Sequence, residues 1–376
     1  MRFLVPILAL LSAVASYAQP LAPPTLSARA WLLMDYATGQ VLAAQAADTR
    51  LEPASLTKVM TTYLVADALA QKTLSLQLPV TVSERAWRTQ GSRSFVPVNK
   101  AVLVDDLFKG MVIQSGNDAS VALAEAIGGS EDAFAAIMNR TAQRMGLKDT
   151  NFLNASGYFE GPAPNHYSTA RDLARLAAAL MRDHPETHAL HATKEYTYNG
   201  IRQHNRNRLL WADPTVDGLK TGHSNAAGFC LIATAKRGPR RLISVVLGTA
   251  SEDARARDSL NLLNWGFTGF DAVKLYDKGQ AISQLKVFKG AQNVVKAGFA
   301  EDFVVSVPRG SADKLSVQLV SHQPLIAPVA AGSVIGTLKL AVAGQPWGEY
   351  PVVAQEAVPV AGLLGRLWDD LRLFFQ

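Results

Sequence analysis

A serine and a lysine three residues apart open a predicted helix in the sequence Ser55-Leu56-Thr57-Lys58. Residues at this spacing share one helix face, so their side chains come within hydrogen-bond reach. A serine hydroxyl becomes a nucleophile at neutral pH only with a nearby base, and a lysine can be that base when burial or a neighbouring cation lowers its pKa. The pair therefore predicts acyl-transfer chemistry. Taken alone, it equally fits a helix start with an exposed lysine.

Two further motifs carry polar side chains that could act on the same substrate. Ser115-Gly116-Asn117 stands at a predicted junction between helices, where serine and asparagine are also ordinary helix caps. Lys220-Thr221-Gly222-His223 opens a predicted strand, although the same letters would also suit a simple turn. A glycine weakens a strand unless something approaches the backbone closely, and an extended peptide along the strand edge would do so.

A mixed fold must bring these motifs together. Apolar runs at 30–35 and 40–46 predict a β-hairpin, and helical spacing predicts a helix from Ser55 to about Leu69. Four more segments share the helical spacing: 104–113, 117–127, 131–145 and 169–181. Strand patterns return at 228–236 and 240–248, and a helix follows over 254–265. The order predicts that the first module, which ends near Phe270, is an α+β domain with an antiparallel sheet and a helical insert.

After residue 270 the sequence pattern changes. Short β-branched segments punctuated by glycine or proline predict a small all-β domain over residues 272–358. In the last segment, 359–376, apolar side chains including Trp368 and Phe374 fall within an arc of about 140° on a helical projection. This pattern predicts an amphipathic helix lying in a membrane interface, although its arginines and aspartates cancel in charge. A terminal helix docked on the β domain is the alternative.

Length and composition describe an ordinary globular chain. The 376 residues are 48% hydrophobic and 18% charged, and the single cysteine excludes an intramolecular disulfide framework or a cysteine-based metal cluster. That cysteine, Cys230, stands in an apolar run and is expected in the core. The net charge of +6 comes without a block of Lys and Arg, so nucleic acid is not an expected partner. Residues 1–18 combine Arg2, an apolar stretch and a small-x-small end at Ala18, which predicts a cleaved signal peptide.

In their order along the chain, the three motifs resemble those of penicillin-binding proteins and class A β-lactamases. The longer stretches around them are similar to low-molecular-mass penicillin-binding proteins of the D-alanyl-D-alanine carboxypeptidase type, peptidase family S11. These stretches are Glu52–Thr61, Gln114–Ala119, Asp217–His223 and Asn264–Phe267. The resemblance covers about residues 29–270 and implies a serine β-lactamase/DD-peptidase-like catalytic domain. It also extends to the β-rich second domain and the amphipathic tail.

The resemblance implies a role for each motif residue. Ser55 would attack the D-Ala-D-Ala bond of a peptidoglycan stem peptide and become acylated, while Lys58 takes its proton. Ser115 would relay a proton to the leaving D-alanine, and Asn117 would hydrogen-bond the substrate backbone. Lys220 would lend positive charge near Ser115 and the substrate carboxylate.

The same resemblance implies the residues that bind the substrate. They are Lys220, Thr221, Gly222 and His223 along the strand, together with Arg206 and Arg255. The two arginines would meet the terminal carboxylate, and ordinary surface arginines are the alternative. Backbone N–H groups of Ser55 and His223 would form the oxyanion hole. No cofactor and no metal are expected.

The resemblance further implies where the protein acts and on what. Peptidoglycan stem peptides and β-lactam inhibitors would be its ligands, and the protein would lie in the periplasm, on the outer face of the inner membrane. Three other functions remain open: a D,D-endopeptidase acting on cross-linked stems, a non-catalytic cell-wall-binding scaffold, and a β-lactamase. Class A β-lactamases carry Glu-x-x-Leu-Asn, whereas Thr150 precedes Leu153-Asn154 here, which argues against the last.

Three histidines have a spacing that could suggest a metal-binding helix. His184, His188 and His191 lie at i, i+4 and i+7. Pro185 interrupts the first interval and no acidic partner repeats with the histidines, so a solvated connection is the preferred interpretation.

Overall fold

The computed structural model describes residues 22–363 together with Arg366 and Asp369. The segment predicted to be a signal peptide lies outside these residues, as does most of the predicted terminal helix. In chain order the first strands are β1 Ala30–Asp35, β2 Val41–Gln45, β3 Pro79–Thr81, β4 Ala101–Leu103, β5 Glu195–Tyr198, β6 Ile201–His204, β7 Val216–Ser224, β8 Gly228–Arg237 and β9 Arg240–Thr249. The α-helices are α1 Lys58–Ala70, α2 Glu84–Arg88, α3 Val104–Lys109, α4 Asn117–Gly128, α5 Glu131–Arg144, α6 Ala170–Asp183, α7 Pro185–Leu190, α8 Leu209–Ala212 and α9 Glu252–Gly269.

Five strands form an antiparallel sheet in the order β2-β1-β9-β8-β7. Helix α9 packs on one face of this sheet and α6 packs on the other, and each helix belongs to its own hydrophobic cluster. Because helices cover both faces, β8 and β9 are buried over long apolar runs instead of alternating between core and solvent. Strand β7, which carries the Lys-Thr-Gly motif, lies at the edge of the sheet.

The helical insert lies between β2 and β7 and has its own apolar cluster, which includes Val65, Leu107 and Leu123. The first helix begins differently from the prediction, because a 3₁₀ turn at Ala54–Thr57 precedes α1. Helix α3 continues into a π turn, Gly110–Gln114, which ends at the Ser115 motif. The insert therefore supplies two of the three motifs from turns at helix ends.

The C-terminal part of the chain is all β. Its strands are β10 Phe270–Tyr276, β11 Ala281–Phe288, β12 Val294–Gly298, β13 Phe303–Pro308, β14 Leu315–Ser321, β15 Leu325–Ile326, β16 Val334–Val342 and β17 Gln345–Ala354. Six of them form a sheet in the order β14-β16-β17-β12-β11-β15, and β10 pairs with β13. A separate apolar core lies among these strands. The predicted combination of an α+β catalytic domain and an all-β C-terminal domain is confirmed.

The all-β domain contacts the catalytic sheet near the β1–β2 hairpin. The hydroxyl of Ser306 donates a buried hydrogen bond of 2.7 Å to the carboxylate of Asp35, the last residue of β1. Trp347 Nε1 donates to the Ser306 carbonyl at 2.8 Å, and its ring lies beside Phe270. Because β2 and β7 are opposite edges of the sheet, this junction is remote from the Lys-Thr-Gly strand.

The single cysteine lies inside the catalytic domain. Cys230 is fully buried in β8, directly opposite Gly222 of β7. Burial raises the pKa of its thiol to about 11. The thiol is therefore neutral and part of the apolar core, as the sequence predicts.

Candidate active site

Ser55 lies in the 3₁₀ turn that leads into α1. Its side chain is at the floor of a cleft, and its hydroxyl accepts a hydrogen bond from Lys58 Nζ at 3.0 Å. Residues three apart stack over one another in a 3₁₀ turn, so the turn geometry produces this contact. The structure thus brings together the serine and lysine that the spacing singles out.

Lys58 is fully buried and uses all three of its N–H donors. Besides the Ser55 hydroxyl, its acceptors are Asn117 Oδ1 at 2.7 Å and the carbonyl of Ser156 at 2.8 Å. Burial, followed by the positive charge of Lys220, lowers the pKa of Lys58 well below its usual value. A lysine in this setting loses its proton more readily than an ordinary lysine, and in its neutral form it can accept one from Ser55.

The second motif lies beside this pair, at the turn between α3 and α4. Ser115 adopts a left-handed conformation, with φ of +70°, and its buried hydroxyl has no hydrogen-bond partner among the described residues. Asn117 begins α4, and its amide joins Lys58 to the carbonyl of Gln90, 2.6 Å from Nδ2. Both side chains line the cleft, so the Ser115 hydroxyl is available to a bound substrate.

Asp118 fixes the segment that forms one wall of the cleft. Its buried carboxylate accepts backbone hydrogen bonds from Ser94 at 2.8 Å, from Phe95 at 2.9 Å and from Val96 at 3.3 Å. The same segment contributes Gly91 and Ser92 to the cleft lining. Sequence reasoning missed this role. An aspartate that directly follows the Ser-x-Asn motif in a buried helix start was the available signal.

The third motif closes the opposite wall. Lys220 in β7 is 3% exposed, and its Nζ donates to the carbonyl of Thr221 at 3.2 Å. Burial and the charges of Arg206 and Arg255 lower the pKa of Lys220 to about 7. Lys220 and Arg206 in turn lower the pKa of Lys58, so positive charge is crowded in this part of the cleft and an anionic substrate would be favoured.

Gly222 allows β7 to lie against the nucleophile turn. A Cβ at this position would be 2.9 Å from the carbonyl oxygen of Pro53 and 3.3 Å from Leu56. The neighbour that requires a glycine in this strand is therefore the chain's own Ser55 turn. The sequence argument instead attributed the close approach to a peptide substrate.

Cationic side chains gather beyond β7, where a substrate carboxylate is expected. Arg206 is exposed and lines the cleft, whereas Arg255 is 4% exposed and donates to Glu252 at 2.8 Å. His223 is stacked on Phe229 with 3.9 Å between ring centroids, and burial lowers its pKa. Both predicted arginines thus lie at the cleft, one of them with its charge already shared with Glu252.

A long loop, residues 151–167, forms the remaining wall of the cleft. This role was not predicted from the sequence. This 151–167 loop supplies the Ser156 carbonyl to Lys58 and lines the cleft with Gly157, Tyr158, Phe159 and Glu160. Asn154 shapes the loop, because its Oδ1 accepts from the backbone of Gly157 at 2.7 Å and its Nδ2 donates to the Tyr158 carbonyl at 2.9 Å. These contacts connect residues that no short motif groups together.

The residue that stands where class A β-lactamases have glutamate points elsewhere. Thr150 bonds Ser168 at 2.8 Å and Asp172 at 2.9 Å, and it is not part of the cleft lining. Asp149, one position away, pairs on the surface with Arg50 at 2.8 Å. Neither side chain is therefore placed to activate a water molecule beside Ser55 in the way that a β-lactamase glutamate does.

The cleft has a volume of about 590 Å³. It brings together most of the residues that the sequence analysis named: Ser55, Ser115, Asn117, Arg206, Thr221, Gly222, His223 and Arg255 line it. Lys58 and Lys220 are buried behind this lining. The arrangement can bind an anionic, extended ligand and present one of its carbonyl groups to Ser55.

The prediction of a solvated connection for the three histidines is wrong. His184, His188 and His191 are all less than a tenth exposed, because α7 packs against β7. His191 Nδ1 bonds the Leu219 carbonyl at 2.8 Å, one residue before Lys220, so this helix backs the strand. Across the described residues, no group of three or more His, Cys, Asp and Glu is arranged to hold a metal ion. The same residues include no helix with the length and apolarity to cross a membrane.

Known proteins share both parts of this architecture. Residues 17–251 match the family model described as D-alanyl-D-alanine carboxypeptidase, peptidase S11, and residues 270–360 match the C-terminal domain of penicillin-binding protein 5. The chain is 42% identical over 366 residues to the D-alanyl-D-alanine carboxypeptidase DacC of Escherichia coli, covering 95% of this chain and 91% of the relative. The crystal structure of penicillin-binding protein 5 from Haemophilus influenzae is 39% identical, with a TM-score of 0.81 over 90% of this chain and 99% of that chain.

A further solved structure is similar to about two thirds of the chain. Penicillin-binding protein D2 from Listeria monocytogenes, in its ampicillin-bound form, is 32% identical with a TM-score of 0.60, covering 66% of this chain and 100% of that chain. The family model and the relatives together span both domains. The chain belongs to the D-alanyl-D-alanine carboxypeptidase family, peptidase S11, and carries the C-terminal domain of penicillin-binding protein 5 type.

Proposed function

We propose that this protein is a serine-type D-alanyl-D-alanine carboxypeptidase that removes the terminal D-alanine from peptidoglycan stem peptides through an acyl-enzyme on Ser55. The observation that carries the proposal is the buried Lys58 Nζ, 3.0 Å from Ser55 Oγ at the floor of a cation-rich cleft. The carboxypeptidase names of relatives at 37–42% identity support the reaction class. The ampicillin-bound neighbour supports recognition of β-lactams.

Acylation follows from the contacts of Ser55 and Lys58. Neutral Lys58 takes the Ser55 proton while Oγ adds to the carbonyl carbon of the penultimate D-alanine. Backbone N–H groups of Ser55 and His223 stabilise the oxyanion. The bond from that carbon to the nitrogen of the terminal D-alanine then breaks. The proton from Ser55 reaches the leaving nitrogen by way of Lys58 and Ser115, whose hydroxyl has no other partner among the described residues.

Deacylation returns the enzyme to its starting state. Water adds to the ester carbonyl, the bond to Ser55 Oγ breaks and the serine regains a proton, which releases a stem shortened by one residue. A β-lactam presents a carbonyl and a carboxylate at similar separation and acylates Ser55 in the same way. Its acyl-enzyme should persist, because the leaving nitrogen of the opened ring stays attached to the acyl group and hinders water, and neither Thr150 nor Asp149 is placed to activate water as a β-lactamase glutamate does.

The reaction is tested by two measurements on the mature wild-type chain. A peptide ending in D-Ala-D-Ala should release one equivalent of D-alanine. Benzylpenicillin should add the mass of one penicilloyl group to the peptide that contains Ser55. Release of D-alanine only from cross-linked dimeric muropeptides would indicate the D,D-endopeptidase alternative. Intact penicillin with no adduct would indicate a binding scaffold, and rapid penicillin hydrolysis a β-lactamase.

The lowered pKa of Lys220 predicts the alkaline limb of the pH profile. Lys220 must be protonated to attract the substrate carboxylate, so kcat/KM should fall as the pH rises through about 7. A Lys220→Arg variant, whose guanidinium stays charged, should lose this limb while keeping the acidic limb set by deprotonation of Lys58. Initial rates between pH 5 and pH 10 measure both limbs. An alkaline limb that is unchanged in the variant would assign it to another group.

Arg206 is expected to contribute binding energy for the substrate carboxylate. Because its side chain lines the cleft and is exposed, Arg206→Ala should lower kcat/KM by about ten- to a hundredfold, mainly through KM, without unfolding the protein. Arg202→Ala is the matched control, since Arg202 lies four residues away on the surface and pairs with Glu195. Equal hydrolysis rates in wild type and Arg206→Ala would remove Arg206 from the binding site.

We propose a location from two segments, the predicted signal peptide 1–18 and the predicted amphipathic segment 359–376. Cleavage after Ala18 would export the protein to the periplasm, and the segment 359–376 would hold it on the inner membrane. Asp369, on the polar side of the segment, accepts a 2.6 Å bond from the backbone of Lys289 in the β domain, whereas Leu363, on the apolar side, is 73% exposed. A contact of the polar side with the β domain leaves this apolar side chain available to a membrane. A chain ending at Pro359 should no longer sediment with lipid vesicles, and retention on them would overturn the anchor.

A further inference from the structure

A buried histidine joins the 151–167 loop to the turn that carries the nucleophile. His166 is 1% exposed, and its Nε2 lies 2.7 Å from the hydroxyl of Thr57. Thr57 is fully buried, and in the sequence it lies between Ser55 and Lys58. The mechanism described above uses neither side chain, so their contact calls for a separate explanation.

The hydrogen bonds of the ring determine its tautomer. Nδ1 of His166 accepts from the backbone N–H of Leu153 at 2.9 Å, so Nδ1 carries no proton. In the neutral ring the proton must then be on Nε2, which donates it to the hydroxyl oxygen of Thr57. Burial lowers the pKa of His166 to about 4, so the ring keeps this neutral form throughout the pH range in which Lys58 and Lys220 act.

The ring is also fixed by packing. Phe152 and Phe159 contact it edge to face, with centroid distances of 5.9 Å and 5.0 Å. Phe159 lines the cleft, and Phe152 is in the core of the catalytic domain. His166 therefore has one orientation, and that orientation holds both ends of the 151–167 loop, at Leu153 and at His166 itself.

The loop and the nucleophile turn meet at the catalytic lysine. Lys58 Nζ donates to the Ser156 carbonyl of the loop at 2.8 Å, while Ser55 and Thr57 belong to the turn. A shift between the two segments would change the direction in which Lys58 Nζ points toward Ser55. The buried hydrogen bond between His166 and Thr57 also joins the loop to the turn, so it would resist that shift.

We propose that His166 is a positioning residue, which through Thr57 holds the 151–167 loop against the nucleophile turn and so keeps Lys58 Nζ directed at the Ser55 hydroxyl. The proposal rests on the proposed function of Ser55 and Lys58. It concerns the rate of acylation and leaves substrate capture to the arginines at the other end of the cleft.

The test separates the rate constant of acylation from the affinity of the initial complex, using benzylpenicillin at several concentrations. The variants are Thr57→Val, His166→Phe and the double substitution, in the full mature chain. Each single variant should acylate about tenfold more slowly at saturating penicillin, with an unchanged dissociation constant of the initial complex. The double variant should be no slower than the slower single variant, because both remove the same bond.

Thr61→Val is the matched control. Thr61 is also a fully buried residue near the start of α1, and its hydroxyl donates a 2.6 Å bond to the carbonyl of Ala155 in the same loop. This variant should lower the melting temperature about as much as Thr57→Val but acylate at about the wild-type rate. Equal acylation losses in both threonine variants, or additive losses in the double variant, would overturn the positioning role.

A second measurement does not depend on activity. In protein labelled with ¹⁵N-histidine, Nε2 of His166 should carry the proton and Nδ1 should not, and the Nε2 resonance should shift in Thr57→Val. A proton on Nδ1, or no shift, would overturn the proposal even if the wild type proved inactive. A wild type that neither releases D-alanine nor binds penicillin, yet shows the expected resonances, would overturn the function of Ser55 and keep the bond.

Discussion

Substituting Lys58 by methionine should lower the rate of Ser55 acylation by about a thousandfold, the usual contribution of a positioned general base. Methionine keeps much of the side-chain length but has no lone pair able to take the Ser55 proton. Among the described residues, Lys58 is the one that hydrogen-bonds the Ser55 hydroxyl, whereas Lys220 donates to the carbonyl of Thr221 in its own strand. The rate is measured by intact-protein mass after timed exposure to benzylpenicillin.

Two comparisons make the Lys58 result specific. Ser55→Ala should give no adduct at any time, whereas Lys58→Met should give a slow one at the same serine. Lys236→Met, at an exposed position of β8, removes a lysine far from the cleft and should acylate like the wild type. Acylation of Lys58→Met at the wild-type rate would show that another group takes the proton.

Gly157→Ala is expected to have the second largest effect, on both folding and catalysis. Gly157 has φ of +71°, and a Cβ there would lie 1.9 Å from the Ala54 carbonyl oxygen and 2.5 Å from the hydroxyl of Thr57. The turn or the loop would have to move, at a cost of about 3 kcal/mol or more in the free energy of unfolding. Displacement of the neighbouring Ser156 carbonyl from Lys58 should slow acylation by about a hundredfold.

Gly146→Ala separates the steric effect from backbone strain. Gly146 has the same φ of +71°, but a Cβ there would have no atom within 4 Å. This control should cost about 1 kcal/mol in unfolding free energy from the left-handed conformation alone and leave acylation unchanged. Urea unfolding and the penicillin reaction measure the two quantities. Equal losses in both variants would contradict the argument from crowding at the nucleophile turn.

Much of the fold could be predicted because its signals are local. The hairpin at β1–β2, the helices of the insert and the strands β8 and β9 each follow from periodicity within a single segment. The motifs of Ser55, Ser115 and Lys220 were recognisable for the same reason. Each motif consists of three or four neighbouring residues. Its backbone setting is a helix start, a turn or an edge strand, and each of these has a recognisable local sequence pattern.

The features of the site that could not be predicted depend on contacts between residues far apart in the sequence. The Ser156 carbonyl reaches Lys58 across 98 residues, and His166 reaches Thr57 across 109. Every residue has a carbonyl oxygen, so no residue type indicates which carbonyl accepts a hydrogen bond from Lys58. The misjudged histidines show the same limit, since polar side chains near a proline are typical of a loop until a strand packs on them.

The burial of Cys230 has a practical consequence for how the protein can be handled and studied. With no second cysteine in the sequence and its only thiol neutral in the core, the folded chain offers thiol-directed oxidants, metal ions and alkylating reagents no accessible thiol. Its folding needs no oxidoreductase, and its storage needs no reductant. The native protein is in effect a cysteine-free background, so one new surface cysteine can carry a fluorophore or spin label at a chosen position on the loops around the cleft.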